Sequence, residues 1–263
     1  MGLGLTRLGR TLAEERVLPG LRELPGVVRE GIAARRFAVP RMVVPEGPRI
    51  LTIGSDRARS PVGLVLLGDS LLFSAGVHRV EDGLGPQFAT HLAELAGAPV
   101  QVHRHAVIGA KTRDLSAQIS GAGDALRGAQ HVLVSIGGND ATSLSHPAAV
   151  RDALAGALAT LRSNAPEAQI TLLGIPDTRN ATVLGRDLAS WVGRRADDLR
   201  EGQSAVAATL DARVTFVDTP RVVNAHLIGD ASMVSPDGFH PSADGYRRSA
   251  DLVFTDLTQR GAI

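Results

Sequence analysis

The chain contains no cysteine. A disulfide framework, a thiol nucleophile and a thiolate metal site are therefore excluded, and the absence fits a reducing compartment. Lysine is almost missing too: Lys111 stands alone, and arginine carries nearly all the positive charge. With Lys+Arg 28 against Asp+Glu 27 the formal charge is +1, so no global field draws the chain to nucleic acid. Long apolar runs are also lacking. No stretch reaches the roughly eighteen apolar residues that a membrane span requires. The amino-terminal MGLGLTRLGRTLAEERVLPG places arginines and glutamates where a secretory segment needs unbroken apolar residues, so a cytoplasmic location is expected.

What is present is the balance of an ordinary globular protein. Hydrophobic residues make up 44% and charged residues 21% of 263 positions, enough for one large core or a core with an appendage. Residues 1–60 read as an amino-terminal extension, partly helical and packed on or flanking the main unit. There Leu18-Pro-Gly-Leu-Arg-Glu and Leu24-Pro-Gly-Val-Val-Arg-Glu form an imperfect repeat whose Pro-Gly pairs break any long helix. Leu5, Leu8, Leu12, Leu21, Val28 and Ile32 alternate with arginines and glutamates in amphipathic turns of mild basic excess. Such turns suit a flank packed on the main unit, or a weak contact with a membrane surface. Residues 41–58 are expected to add a hairpin or an irregular arm.

From residue 61 onward the pattern changes. Short β-branched runs at Val62–Leu67, Val100–Val107, His131–Ile136, Gln169–Gly174 and Val214–Val217 alternate with helical patterns at Gly85–Leu95, Thr112–Ile119, Pro147–Arg162, Asp187–Leu210 and Ala243–Arg260. Strand and helix in regular alternation predict an α/β fold, a parallel sheet covered on both faces by helices. In the segment Asp187–Leu210, Arg194, Arg195, Asp197, Asp198, Arg200 and Glu201 read as a solvated face, and Trp191 as packing. Gly121-Ala-Gly123 reads as a turn.

Four segments carry chemistry. Gly68-Asp69-Ser70 ends the first run, Val107-Ile108-Gly109-Ala110 follows the second, Ile136-Gly137-Gly138-Asn139-Asp140 follows the third, and Ser235-Pro236-Asp237-Gly238-Phe239-His240-Pro241 precedes the last helix. In a parallel sheet these segments converge on one rim, where open α/β sheets bind ligands. Ser70 offers a hydroxyl that becomes a nucleophile only when a base takes its proton. An imidazole in general can take a proton near neutrality, so His240 can be that base, while Asp237, three residues earlier, can reach its Nδ1. The N–H groups of Ser70 and Gly109 and the Asn139 amide are candidate donors to an oxyanion. Asp69 and Asp140 are expected to tie down the loops through backbone N–H groups.

Other candidates are weaker. His103 and His105 share a strand face at metal-ligand spacing, but no carboxylate cluster accompanies them, and no metal site is assigned. The long connections 176–185 and 220–234 offer Val183, Leu184, Leu227, Ile228, Met233 and Phe239 as lining for an acyl groove.

Taken together the blocks LLGDSLL, VIGAKT, IGGND and DGFHP resemble those of the SGNH hydrolase superfamily, the GDSL esterases and lipases, from about Val62 to the carboxyl terminus. The resemblance implies a three-layer α/β/α sandwich with a central five-stranded parallel sheet of flavodoxin-like type. It also implies Ser70 as nucleophile, His240 as base, Asp237 as its orienter, and an oxyanion hole from Ser70, Gly109 and Asn139. No cofactor or metal is implied. The expected reaction is hydrolysis of carboxylic or thio esters of small or lipid-like substrates through an acyl-enzyme. An acyltransferase that passes the acyl group to a sugar or lipid hydroxyl would use the same residues. A non-catalytic acyl- or glycan-binding module would not need them all.

Overall fold

The computed structural model describes residues 18–20, 22–54, 59–179 and 181–263. Leu5, Leu8, Leu12 and Leu21, and with them much of the expected amphipathic turns, lie outside the described residues. The helix α1 (Leu24–Ala38) begins on Pro25 at its first turn and is followed by β1 (Ile50–Ile53). Then come β2 (Val62–Gly68), α2 (Leu84–Ala96), β3 (Val100–Arg104), α3 (Leu115–Arg127), β4 (His131–Ser135) and α4 (Pro147–Asn164). The chain ends with β5 (Gln169–Leu173), α5 (Arg186–Ala208), β6 (Val214–Val217) and α6 (Ala243–Gln259).

The sheet has six strands in the order β1-β3-β2-β4-β5-β6. Strands β2 to β6 are parallel, which gives the five-stranded parallel core. The sixth strand comes from within residues 1–60: β1 pairs antiparallel with β3 at the edge, Leu51 opposite Val102. Only Leu51 of β1 is buried, the one-sided pattern of an edge strand.

Side chains alternate across the central strands. Leu64 and Leu66 of β2 pack with Phe88 and Leu92 of α2 and Tyr246, Ala250 and Val253 of α6. Val65 and Leu67 face the other way, onto Leu115, Ile119 and Leu126 of α3 and Leu154, Leu158 and Leu161 of α4. This strand is apolar at successive positions because both its faces are covered. A third cluster joins Val27 and Ala34 of α1 to Leu188, Trp191, Val192 and Leu199 of α5.

Two expectations need correction. Gly121 and Gly123 do not form a turn but lie inside α3, which kinks at Gly123. Arg195 is not on a solvated face: it is 2% exposed, on the side of α5 that packs inward beside Trp191. Charge alternation along the helix hid this, because its buried guanidinium is satisfied by carbonyls that are distant in sequence.

The connectivity places the site. The chain leaves β2 to one side for β3 and returns across it to β4, so a topological switch point lies between the carboxyl ends of β2 and β4. Ser70 follows the first of these strands and Asn139 the second.

Candidate active site

Strand β2 stops at Gly68, where φ is +135° and an added Cβ would run into the Ser135 carbonyl on neighbouring β4. Only glycine lets the strands stay paired as the chain turns. The next residue, Asp69, donates its N–H to the Ser135 carbonyl (2.9 Å), and its side chain accepts from Leu71 N (3.2 Å). Asp69 thereby caps a single helical turn, Ser70–Phe73, and sets Ser70 at the first position of that turn. Ser74, at φ +75°, ends it.

The other half of the site is the loop before α6. Asp237 is 1% exposed, and its Oδ1 accepts from Ser235 Oγ (2.8 Å), Phe239 N (2.8 Å) and His240 N (2.9 Å). Oδ2 lies 2.6 Å from His240 Nδ1, and His240 Nε2 lies 2.9 Å from Ser70 Oγ. A carboxylate can only accept, so in the neutral imidazole Nδ1 carries the hydrogen and Nε2 accepts from the Ser70 hydroxyl. Burial pushes the Asp237 carboxyl up, but the donors from His240 and Phe239 outweigh it and take the group down to about 2. Ser70, Asp237 and His240, separated by as many as 170 residues, form one hydrogen-bonded chain.

On β4's side, Asn139 sits in the helical turn Gly138–Ala141 and donates through Nδ2 to the Ala110 carbonyl (2.9 Å). One of its two amide hydrogens is thus held, and the second is free for another acceptor. Gly109 precedes that carbonyl by one residue. Its φ of +81°, and not crowding, is what calls for glycine, since an added Cβ would meet nothing within 4 Å. Gly109 lies outside the set of residues lining the cavity, whereas Ser70 and Asn139 belong to it. Asp140, 3% exposed, accepts through Oδ2 from Thr112 N (2.8 Å) and Thr112 Oγ1 (2.9 Å), and so joins the β4 loop to the start of the helical segment after β3.

Asp69 behaves differently. It is buried where it borders the cavity, and burial raises its carboxyl to about 7 against the lowering effect of the Leu71 N–H, the His240 ring and the Gly138 N–H; Asp140 adds to the rise.

A cavity of about 320 Å³ opens beside Ser70 and His240. Leu227, Ile228, Met233, Val234 and Phe239 supply an apolar wall, and Asp177, Thr178, Thr182 and Asn224 a polar one. Leu184 does not line it, and neither does Val183; both pack instead on the cluster shared by α1 and α5. The chain turns into α5 immediately after Leu184, and that turn directs both side chains inward. His103 and His105 are engaged elsewhere, His103 with Gln101 (2.9 Å) and His105 with Arg49 (2.6 Å).

Several residues that hold the site gave no signal in the sequence. Gln118 of α3 is buried and bonds both the N–H (2.6 Å) and the carbonyl (2.8 Å) of Gly68. Gln203 of α5 links Ile175 N (3.1 Å) to the Ile136 carbonyl (2.7 Å). Arg195 donates to the carbonyls of Ala141 (2.9 Å), Asp140 (3.1 Å) and Ser145 (2.8 Å). Tyr246 OH donates to the Ala75 carbonyl (2.7 Å), which fixes the loop after Ser70 to α6.

The chain resembles known proteins in sequence and in fold. A GDSL-like esterase of Mycobacterium tuberculosis is 26% identical over 202 residues, 74% of this chain; the chain spans 62% of that relative's length. Among solved structures, phospholipase A1 from Streptomyces albidoflavus NA297 superposes with a TM-score of 0.55 at 20% identity, over 75% of this chain and 99% of that one. A lipase from a goat rumen metagenome superposes at 0.58 with 17% identity, over 76% and 97% of the two chains. The model of the GDSL-like Lipase/Acylhydrolase family matches residues 66–248, which hold all four loops of the site. The chain belongs to the GDSL-like lipase/acylhydrolase family.

Proposed function

We propose that this chain is a serine hydrolase of carboxylic or thio esters with an apolar acyl group, and that Ser70 is its nucleophile. His240 Nε2 takes the Ser70 proton as Oγ attacks the ester carbonyl, and Asp237 steadies the imidazolium that forms. The N–H groups of Ser70 and Gly109 and the free Asn139 amide hydrogen receive the developing oxyanion. Collapse expels the alcohol or thiol, protonated by His240, and leaves an acyl group on Ser70. Water, deprotonated by the same imidazole, then releases the acid. With Asp237 held at about 2, its carboxylate stays ionised throughout the cycle and faces the imidazolium with a full negative charge.

The observation that carries the reading is the unbroken path from Asp237 Oδ2 through the His240 ring to Ser70 Oγ, opening on a cavity with one apolar wall. A series of p-nitrophenyl esters of increasing acyl length tests it. Ser70→Ala and His240→Ala should each lower kcat by roughly 10⁴- to 10⁶-fold. Met233→Trp or Phe239→Trp should shift the preferred acyl length downward. Retained turnover in Ser70→Ala would refute the nucleophile, and an unmoved length preference would refute the acyl wall.

A further inference from the structure

Helix α1 has two unlike faces. Val27 and Ala34 are buried against α5, and both carboxylates turn the same way: Glu30 accepts from Leu188 N (2.8 Å), and Glu23 pairs with Arg194 (2.7 Å). The opposite face presents Leu24 (43% exposed), Val28 (53%) and Ile32 (52%), one turn apart along a single stripe. Arg29, Arg35 and Arg36 flank that stripe and are exposed. Of these, Arg29 approaches Glu30 only at 3.8 Å, with its side chain 78% exposed. Leu24, Val28, Ile32, Arg29 and Arg36 together border a shallow groove. The acids of this helix are thus spent on the protein, while its apolar and cationic groups face out. Asp187, near Gly26, is the further acid packed against the helix, and it pairs with Arg186 (3.5 Å).

We propose that this outer face of α1 docks on an anionic lipid surface. The apolar stripe would enter the boundary between headgroups and acyl chains, and the arginines would meet the phosphates. The choice of a bilayer over a protein partner rests on charge: a face with three outward guanidinium groups and inward carboxylates complements a negative plane.

Co-sedimentation of the full chain with vesicles tests the proposal, using phosphatidylcholine alone and phosphatidylcholine mixed with phosphatidylglycerol. The expected result is partition onto the mixed vesicles only, weakened about tenfold or more by high salt. Val28→Glu with Ile32→Glu, and separately Arg29→Gln with Arg36→Gln, should abolish or reduce it to a similar extent. These side chains are exposed, so unchanged thermal melting by circular dichroism would confirm that the variants remain folded. Three outcomes overturn the proposal: no partition, equal partition onto both vesicle types, or variants that bind like the parent. A dimer in gel filtration that Val28→Glu dissociates would likewise overturn it, since a second copy would then cover the face. None of these readings depends on ester hydrolysis.

Discussion

Asp69 and Asp237 are buried carboxyl groups on either side of the Ser70–His240 contact, and their surroundings drive them in opposite directions. Asp237 gathers three hydrogen-bond donors on one oxygen and the imidazole on the other, and it falls to about 2. Its contribution to stability is present above the usual carboxylate range and is lost as pH drops through that value. Asp69 has too few donors to offset its burial and rises to about 7. In the pH range between its usual value and about 7, the folded chain holds a proton that the unfolded chain has released, so stability falls as pH rises. The Tm of Asp69→Asn minus that of the parent should therefore increase from about pH 5 to about pH 8. A difference that does not change with pH would contradict this assignment. The sequence made the meeting of Ser70, Asp237 and His240 legible because Ser70 follows a buried strand and Asp237 stands only three residues before His240. It gave Asp69 and Asp237 different partners but not opposite titration, because each has two backbone N–H donors and the difference lies in the imidazole and the Ser235 hydroxyl that only Asp237 gains. The same limit explains Leu184: its apolar character suited the groove, but the turn into α5 decides where it points.

At the scale of elements, the strand ends are held by polar side chains from helices. Gln118 satisfies both backbone groups of Gly68, and Gln203 spans the ends of β4 and β5. Arg195 gathers three carbonyls of the loop that carries Asn139. Replacing Gln118 with Leu leaves the Gly68 N–H without a partner at the base of the Ser70 turn, while the Gly68 carbonyl keeps the Val107 N–H (3.0 Å). Such a buried group costs about 1–3 kcal/mol. Urea unfolding of Gln118→Leu should show a loss of at least that size, and turnover should fall with it; an unchanged midpoint would show that the pairing is dispensable. Alternation of strands and helices located β4, β5 and α5 but cut α3 short at the glycines it runs through, since periodicity reports which faces are apolar and not whether a glycine is spanned. It could not reveal Gln118, Gln203 or Arg195, because a polar residue on an amphipathic helix looks solvated until its distant carbonyl partner is known.

For the whole molecule, the order of the strands matters most. Five parallel strands with their reversal between β2 and β4 bring the loops of Ser70, Asn139 and His240 to one crevice, with the Gly109 loop tied behind it through the Ala110 carbonyl, and the regular strand–helix repeat made the sheet readable in advance. The part played by residues 1–60 was not readable, because β1 pairs with a strand some fifty residues away and α1 with a helix still more distant. Removing residues 1–60 strips β1 from the β3 edge and Val27 and Ala34 from the α5 face, exposing backbone donors and apolar surface together. The truncated chain should melt at lower temperature and aggregate; a Tm equal to the parent's would show that the extension is energetically separate.

In the proposed reaction the Ser70 hydroxyl, polarised by His240, attacks the carbonyl carbon. Treatment of the intact chain with a fluorophosphonate, followed by peptide mass spectrometry, reads this directly. A single phosphonyl adduct is expected on the peptide containing Ser70, lost in Ser70→Ala and slowed severely in His240→Ala. An intact, folded chain that takes up no label, or takes it up at another residue, would contradict it.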